Sequence, residues 1–593
     1  MENQILEPLK YYQQTAKIQH ENNIDEYFNK LVNDSKINAE ENRQTAKLFR
    51  KQDKIASQTK SKISRLKVWR ILLIVLSVIS VITCFGTFVS EPNELKVIVR
   101  ILSVVVFIGS LLLIFLFINK KLKHSEELYQ KQRETADKTY QLALSQMTPL
   151  NQMFTENDTF DLIEKIIPRL KFNRDYNLDL DEDFRKNFSF ESENLDTRSV
   201  VNTVSGRYNE NPFMFCRHLN HYMSTKTYTG TKLITYQVHY RDSDGKMRTA
   251  TRTQTLVATV TKPFPMYAYA TALNYGHQTA PDLSFSRSYN HVEDWSESKV
   301  DRHVRKGERK LRKKAQKAVE KGEQFTEMTN SEFDVLFGAT DRNHEVQFRV
   351  MFSPAAQLNM VKLMRASEEY GDDFSFVKHG KHNYIVSEHA QIWDMDASPS
   401  KYWSYDIDIA HKNFKDFNNQ YFRSLYFDFA PLLSIPTYHE KPSATFEKYD
   451  NLTQNYTNYE YEVLANSIGY RNFEHADSKT QCILKADHLY STNTTDCVQI
   501  SAYSYTSLPR IDIVPMLGRD GRMHGVPVPW EEFLPVKNVS KMAIKRVSMT
   551  AGQFESKKPS LDSGLFNAPN AYYHGLFAKI LTNNEVDLID KKL

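Results

Sequence analysis

"ILLIVLSVISVITCFGTFV", residues 71–89, runs nineteen positions without a charged side chain. After the polar "SEPNELKVIVR" (90–100), a second run of eighteen follows, "ILSVVVFIGSLLLIFLFI" (101–118). At 1.5 Å rise per residue, about 20 residues cross a ~30 Å hydrocarbon layer. Both runs therefore predict membrane-spanning helices. A buried helix pair in a soluble core is the alternative, and two such runs around one short polar turn argue against it. Ser77, Ser80 and Cys84 share one helix face, and Ser103 and Ser110 lie one heptad apart. Small residues of this kind let membrane helices approach closely, so a helical hairpin is expected.

Flanking charge gives the expected orientation, because cationic flanks stay in the cytoplasm. Lys60, Lys62, Arg65, Lys67 and Arg70 precede the first run, and Lys120, Lys121, Lys123, Lys131 and Arg133 follow the second. The turn between them has only Lys96 and Arg100, beside Glu91 and Glu94. Both termini are thus expected in the cytoplasm of a two-pass cell-membrane protein. Met1 to Arg70 is polar, and no signal peptide is expected there. In a reducing cytosol Cys216, Cys482 and Cys497 are expected as thiols, and Asn451, Asn455, Asn493 and Asn538 head chance Asn-x-Ser/Thr triplets.

Over the whole chain, 41% hydrophobic and 25% charged residues match an ordinary globular protein. The net charge of +5 makes any strong basicity local. Ile24, Tyr27, Phe28, Leu31 and Val32 mark an amphipathic helix before the spans. Leu122, Tyr129, Ala136 and Ala143 mark a narrow stripe after them, and Thr148-Pro149 is expected to end that helix. The simplest picture extends the hairpin into the cytoplasm as two antiparallel helices. "KLITYQVHY" (232–240) then alternates Ile234, Tyr236, Val238 and Tyr240, and Asp244-Gly245 supplies a hairpin signal. In 345–371, Val346, Phe348, Val350 and Phe352 alternate, predicting a strand over Glu345–Phe352. Ser353 and Pro354 then open a helix as N-cap and first residue. "FSFVKHGKHNYIVSE" (374–388) predicts another hairpin, and 441–593 predicts short, proline-broken strands with a turn at Gly518–Gly521. The expected fold is α+β. It comprises N-terminal helices (1–67), a two-helix transmembrane hairpin (68–119), a helical stalk and linker (120–195), an α+β cytosolic domain (196–440) and a β-rich C-terminal region (441–593).

Motifs with a defined chemistry are absent from the sequence: no Walker-type loop, Gly-x-Gly-x-x-Gly, His-Glu-x-x-His, Gly-x-Ser-x-Gly or Cys-x-x-Cys occurs. Ser398-x-x-Lys401 lacks its companion motifs, and the Asp242–Gly245 loop lacks the further ligands of a calcium site. His379, His382 and His389, with Asp394 and Asp396 downstream, offer zinc-type donors. The hairpin turn at His379-Gly380 makes an ordinary polar hairpin the better reading, so no metal and no cofactor is expected. Asp406 and Asp408 are placed on one strand face by their alternation, the basis for an alternative reading as a membrane-tethered enzyme.

The remaining feature is "RHVRKGERKLRKKAQKAVEKG" (302–322), with ten Lys and Arg against Glu308 and Glu320. Val304, Leu311, Ala315, Ala318 and Val319 give it a thin apolar stripe, predicting a helix laid on the domain with a cationic outer face. The candidate anionic-surface residues are Arg305, Lys306, Arg309, Lys310, Arg312, Lys313, Lys314 and Lys317. A solvated charged face, contact with anionic lipid headgroups and nucleic-acid binding stay open. The last is disfavoured because no aromatic residue is interleaved to stack a base.

The stretches "NPFMFCRHLNHYMSTKTYTGTKLITYQVHYRDSDGK" (211–246), "RTQTLVATVTKPFP" (252–265), "LNYGHQTAPDLSFSR" (273–287) and "EFDVLFGATDRNHEVQFRVMFSPAAQ" (332–357) resemble a group of uncharacterised bacterial membrane proteins from mycoplasma-like and related Gram-positive lineages. That resemblance covers 200–440 and, in outline, the hairpin. It implies a membrane-tethered cytosolic α+β domain and carries over no site residues. The expected function is a membrane-anchored binding or scaffolding module whose partners are the bilayer, anionic headgroups or other membrane and cytosolic proteins. An export-dependent reporter fused at Leu593 is expected to stay silent and one inserted at Asn93 to be active. The opposite pattern would invert the topology.

Overall fold

A computed structural model describes residues 5–88, 94–174, 196–442, 458–492, 495–546, 570–573 and 576–581. The triplets headed by Asn451, Asn455 and Asn493 lie outside these residues. The chain is a mixed α+β protein with two long apolar helices and antiparallel sheets. It divides into a helical unit, Asp25–Phe154 with Pro399–Asp416, and a mixed unit, Met1–Ile24, Thr155–Ser398 and Phe417–Leu593.

The helical unit contains most of α1 (Lys17–Ser35), α2 (Ala39–Phe88), α3 (Glu94–Leu112) and α4 (Asn119–Met153), with a π-helical segment, Leu113–Ile118, joining the last two. Helices α2 and α4 run antiparallel and are tied along their length. Arg133 meets Asp53 at 2.8 Å, Thr59 Oγ1 donates to Gln132 at 2.7 Å, and Asn42 Nδ2 donates to the Ala143 carbonyl at 3.2 Å. The predicted stripe is the buried face of α4, with Leu122, Ala136 and Ala143 buried and Tyr129 half-buried. The predicted small-residue seam also forms: Ser77, Ser80, Ser103 and Ser110 are buried, and Thr83 and Ser103 hydroxyls lie 3.3 Å apart. Proline does not end α4. Pro149 sits inside it, Thr148 Oγ1 donates to the Leu144 carbonyl, and buried Leu150 with Asn151 Nδ2 on the Ser404 carbonyl anchors the last turn. Tertiary packing here outweighs the proline penalty.

Among the described residues the mixed unit has two sheets. In the first, β1 (Leu170–Phe172), β2 (Arg198–Tyr208), β3 (Asn211–Arg241), β4 (Met247–Gly276) and β5 (Ser284–Arg287) are followed by helices α5 (Glu297–Lys321), α6 (Ser331–Phe337), α7 (Glu345–Met351) and α8 (Pro354–Met364). Strands β6 (Phe374–His379) and β7 (His382–Ser387) complete the sheet in the order β1-β2-β3-β4-β7-β6-β5. Helices α9 (Glu388–Ile392), α10 (Ile407–Leu433) and α11 (Asn458–Ile468) precede the second sheet. That sheet contains β8 (Ile483–Ser491), β9 (Thr495–Leu517), β10 (Met523–Arg546), β11 (Asn570–Tyr573) and β12 (Leu576–Ile580), in the order β11-β12-β10-β9-β8. Phe213, Phe215 and Tyr275 from the first sheet pack with Phe348, Phe352, Tyr426 and Phe429 in one aromatic core. Cys216, Cys482 and Cys497 are buried, and none forms a disulfide.

Two strand pairs run far beyond their sheets. The last β2 partner on β3 is Asn220, yet β3 and β4 stay paired out to Arg241 and Met247. At about 3.3 Å per residue, the overhang from His221 to Arg241 is about 70 Å long. It turns where predicted, with Asp242 Oδ1 accepting from the N–H groups of Asp244 and Lys246 and Gly245 at φ +79°. The region read as short, broken strands is instead a second long ribbon, β9–β10, turning at Gly518–Arg522. All five of its prolines (Pro509, Pro515, Pro527, Pro529 and Pro535) fall in one alternate class of cross-strand pairs. They fit the class whose N–H groups point out of the ribbon, where proline forfeits no ladder bond. The ribbons pack on each other through Ile234, Leu256 and Ala258 against Val526 and Val528. Gly230 permits the approach, since a Cβ there would collide with the Pro527 carbonyl.

Glu345–Phe352 is not the predicted strand; Glu345–Met351 is helix α7. Residues alternating at two also repeat at four, so Phe348 and Phe352 share a buried helix face while Val346 and Val350 share an exposed one. His344 caps α7 through the Gln347 N–H, and Ser353 caps α8 through the Ala356 N–H as expected. Phe348→Ala should cost about 3–5 kcal/mol and Ser353→Ala about 1 kcal/mol, measured by unfolding of the purified full chain. A Phe348→Ala protein that melts like wild type would show that the aromatic core is misassigned.

Candidate functional site

Helix α5 carries the cationic stretch and ends as its sequence dictates. Gly322 takes the left-handed conformation at φ +71°, and the Glu323 N–H closes back on the Ala318 carbonyl at 2.8 Å. Val300, Leu311 and Ala318 are buried, Val304 and Ala315 are half-buried, and Leu311 and Ala318 pack with Phe325. Gly307 lets the helix sit tightly on α6, because a Cβ there would strike the Val335 side chain. The predicted stripe is corrected at Val319, which is 76% exposed.

Of the eight candidate cations, Arg305, Lys306, Arg309, Lys310, Lys313 and Lys317 are exposed, and Arg312 is exposed with Glu327 3.7 Å away. Lys314 does not belong with them. It is half-buried, its ammonium donates to the Thr340 carbonyl, and it lies 4.6 Å over the Phe325 ring. The result is a rigid cationic ridge presented on one helical surface.

The other sequence candidates separate. Asp406 and Asp408 are not on a strand but at the start of α10. Asp406 Oδ1 accepts from the Asp408 and Ile409 N–H groups at 2.9 and 3.4 Å, and its other oxygen pairs with Arg50. Asp408 pairs with Arg43 at 3.1 Å. Carboxylates so engaged serve the helix end and the stalk. His379 lies near Ser284 Oγ at 3.3 Å and His382 near Asn274 Oδ1 at 3.1 Å, while Asp394 and Asp396 accept backbone N–H groups of their own turns.

His389 belongs to a network that sequence spacing does not reveal. Its Nδ1 lies 2.5 Å from Asp373 Oδ2, and its Nε2 lies 3.0 Å from the Ser424 carbonyl and 3.5 Å from Asp428 Oδ1. Tyr370 stacks on the ring at 3.9 Å, with the Arg423 guanidinium over the tyrosine. Burial opposes the imidazolium, but the carboxylates of Asp428 and Asp373 outweigh it and hold His389 above its usual value. Burial likewise raises the Asp428 carboxyl, partly countered by His389. Both ring nitrogens face oxygens of the protein, Nδ1 toward Asp373 and Nε2 toward Ser424 and Asp428, inside the core. The ring acts as a buried clamp joining the loop before β6, the short helix α9 and α10. The only sequence signal was the histidine itself, because its partners lie 16 and 39 positions away.

No protein-family model matches this chain, and no curated protein or solved structure matches it. Residue geometry alone therefore carries the functional reading.

A histidine raised in the folded state contributes its full stabilisation below its ordinary value of 6.5 and loses it as pH climbs through the raised one. His389→Gln should cost about 3–5 kcal/mol at pH 6, the range for breaking a buried pair. The gap to wild type should narrow by pH 9 in thermal melts of the full chain. A gap that widens with pH would mean the histidine is buried neutral.

Proposed function

We propose that this protein is a membrane-anchored, two-pass binding module whose termini and mixed unit lie in the cytoplasm. Its α5 ridge engages anionic headgroup phosphates. Two helices long and apolar enough to cross a membrane support the anchoring, and in their most apolar stretches only 11% and 17% of residues are buried. A soluble core helix would be mostly buried; these present Ile71, Ile101, Phe115 and Phe117 outward instead. The seam of serines supports their pairing, and the cation-rich flanks support a cytoplasmic orientation.

One observation carries the headgroup reading: the α5 cations stand on a helix fixed from beneath and face solvent. Each Lys or Arg near an anionic leaflet is worth about 1 kcal/mol, so a ridge of six gives useful affinity without a pocket. Scaffolding fits this better than catalysis, because the carboxylates considered for an enzyme are bound into caps and ion pairs.

Full-length protein in zwitterionic nanodiscs should be captured by anionic vesicles. Replacing Lys310, Arg312, Lys313 and Lys317 with Gln should weaken capture at least tenfold in low salt and leave neutral vesicles unaffected. Vesicle capture that these substitutions leave unchanged, together with wild-type binding of RNA with a steep salt dependence that they abolish, would replace the lipid reading with a nucleic-acid one.

A further inference from the structure

The far end of the paired ribbons presents a surface that neither the core nor α5 uses. Along 227–241 and 247–261, odd-numbered side chains face solvent and are largely threonine, as in the facing pairs Thr229–Thr259 and Thr235–Thr253. The outer face of β9–β10 has the opposite character. Ile511, Ile513, Leu517 and Met523 are 67, 72, 64 and 62% exposed, and Pro515, Pro527 and Pro529 fill the positions between them. No charged residue interrupts this patch, which is two strands wide. Isolated exposed aliphatics are ordinary, but a contiguous apolar face marks an interaction site.

Three features restrict what covers it. A partner strand is disfavoured on the ribbon, because prolines interrupt the row of outward N–H groups on both edges: Pro509 and Pro515 on β9, and Pro527, Pro529 and Pro535 on β10. A second copy is disfavoured by charge. The β9–β10 turn, seated beside Ile234 and Gln254, carries Arg519 and Arg522 against Asp520, and the β3–β4 turn farther out carries Arg241, Lys246 and Arg248 against Asp242 and Asp244. Of these acids, Asp242 already bonds Arg248 at 2.6 Å and Asp520 faces His524 at 2.9 Å. Two such tips brought together would repel. The patch also lacks an aromatic ring on which a nucleobase would stack. An occupant that is apolar in its depth and anionic at its surface fits all three features.

We propose that the end of this arm docks on an anionic lipid bilayer. Ile511, Ile513, Leu517 and Met523 enter the interfacial layer, and Lys246, Arg519 and Arg522 meet headgroup phosphates. The threonine face stays in water. This surface is separate from the α5 ridge and does not depend on it.

Full-length protein carrying Cys84→Ser, with an environment-sensitive fluorophore on Leu517→Cys, is reconstituted in zwitterionic nanodiscs and mixed with phosphatidylserine vesicles. The other three cysteines are buried. The emission should move to shorter wavelength and be quenched by brominated lipid in those vesicles. A probe on Thr231→Cys should not respond, and phosphatidylcholine vesicles should act at least tenfold more weakly. Ile513→Asp with Leu517→Asp, both at exposed positions, should lower vesicle binding at least tenfold without changing the melting temperature. The α5 Gln variant should keep the Leu517 response. A Leu517 probe that ignores phosphatidylserine vesicles overturns the proposal. So does a probe that shifts with protein concentration alone, which would identify a second copy as the occupant. Should the double variant misfold, the probe pair still decides.

Discussion

A two-stranded ribbon is barely stable in water unless one face is covered, and here two ribbons cover each other. β3–β4 leaves the seven-stranded sheet and β9–β10 leaves the five-stranded sheet, and Ile234, Leu256 and Ala258 meet Val526 and Val528 between them. Side chains alternate with period two, so one slipped residue would turn every aliphatic of that seam outward. The register is held by cross-ribbon ties as well as by packing. Lys262 reaches Asp512 at 2.7 Å, Lys232 donates to the Gly525 carbonyl at 3.0 Å, and the Arg519 N–H donates to Gln254 at 2.8 Å. That pairing leaves the odd-numbered side chains of both ribbons facing outward.

Charge is handled in two ways that separate structure from surface chemistry. Arg342 is fully buried and neutralised twice, by Asp334 at 2.7 Å and Glu345 at 2.8 Å, and Arg287 is buried against Asp372. Removing Asp372, or Asp334 together with Glu345, would strand a buried guanidinium, so these pairs belong to the fold. The α5 ridge is the reverse: its cations leave the core side to Val300, Leu311 and Ala318 and keep their heads in water. Lys314 marks the border between the two regimes, since it lies on the ridge in sequence yet bends back to a carbonyl and a ring.

How much was legible in the sequence depended on whether a signal was local. The Asp244-Gly245 and Gly518–Gly521 turns and the Ser353 cap are set by residues within a few positions, and the serine positions of each span follow a helical repeat within that span. They could be read directly. The difference at α7 comes from degeneracy, because Val346, Phe348, Val350 and Phe352 alternate as in a strand while the i, i+4 pair Phe348 and Phe352 equally fits one buried helix face. The second ribbon was missed because its prolines looked like breaks; only their shared odd spacing, from Pro509 to Pro535, hinted that they occupy one register class. Asp406 and the His389 clamp depend on partners far along the chain, Arg50 and Asp428 among them. No local pattern encodes those contacts.

The helical unit is discontinuous in sequence: Asp25–Phe154 is completed by Pro399–Asp416. Asn42 receives the Ile407 N–H and donates to the Tyr405 carbonyl, and Phe49 packs edge-on against Tyr405 at 5.0 Å. On the ribosome, those partners emerge some 245 residues after Phe154, a delay of roughly 12–50 s at about 5–20 residues per second. During that interval α2 and α4 hold Asn42 on Ala143 and Phe49 on Tyr140 but lack the contacts of Asn42 with Tyr405 and Ile407 and of Phe49 with Tyr405, while the intervening strands are made. Nascent chains of this protein should therefore pass through a window, closed only after Asp416 has been translated, in which the stalk is open to proteases and in need of chaperones.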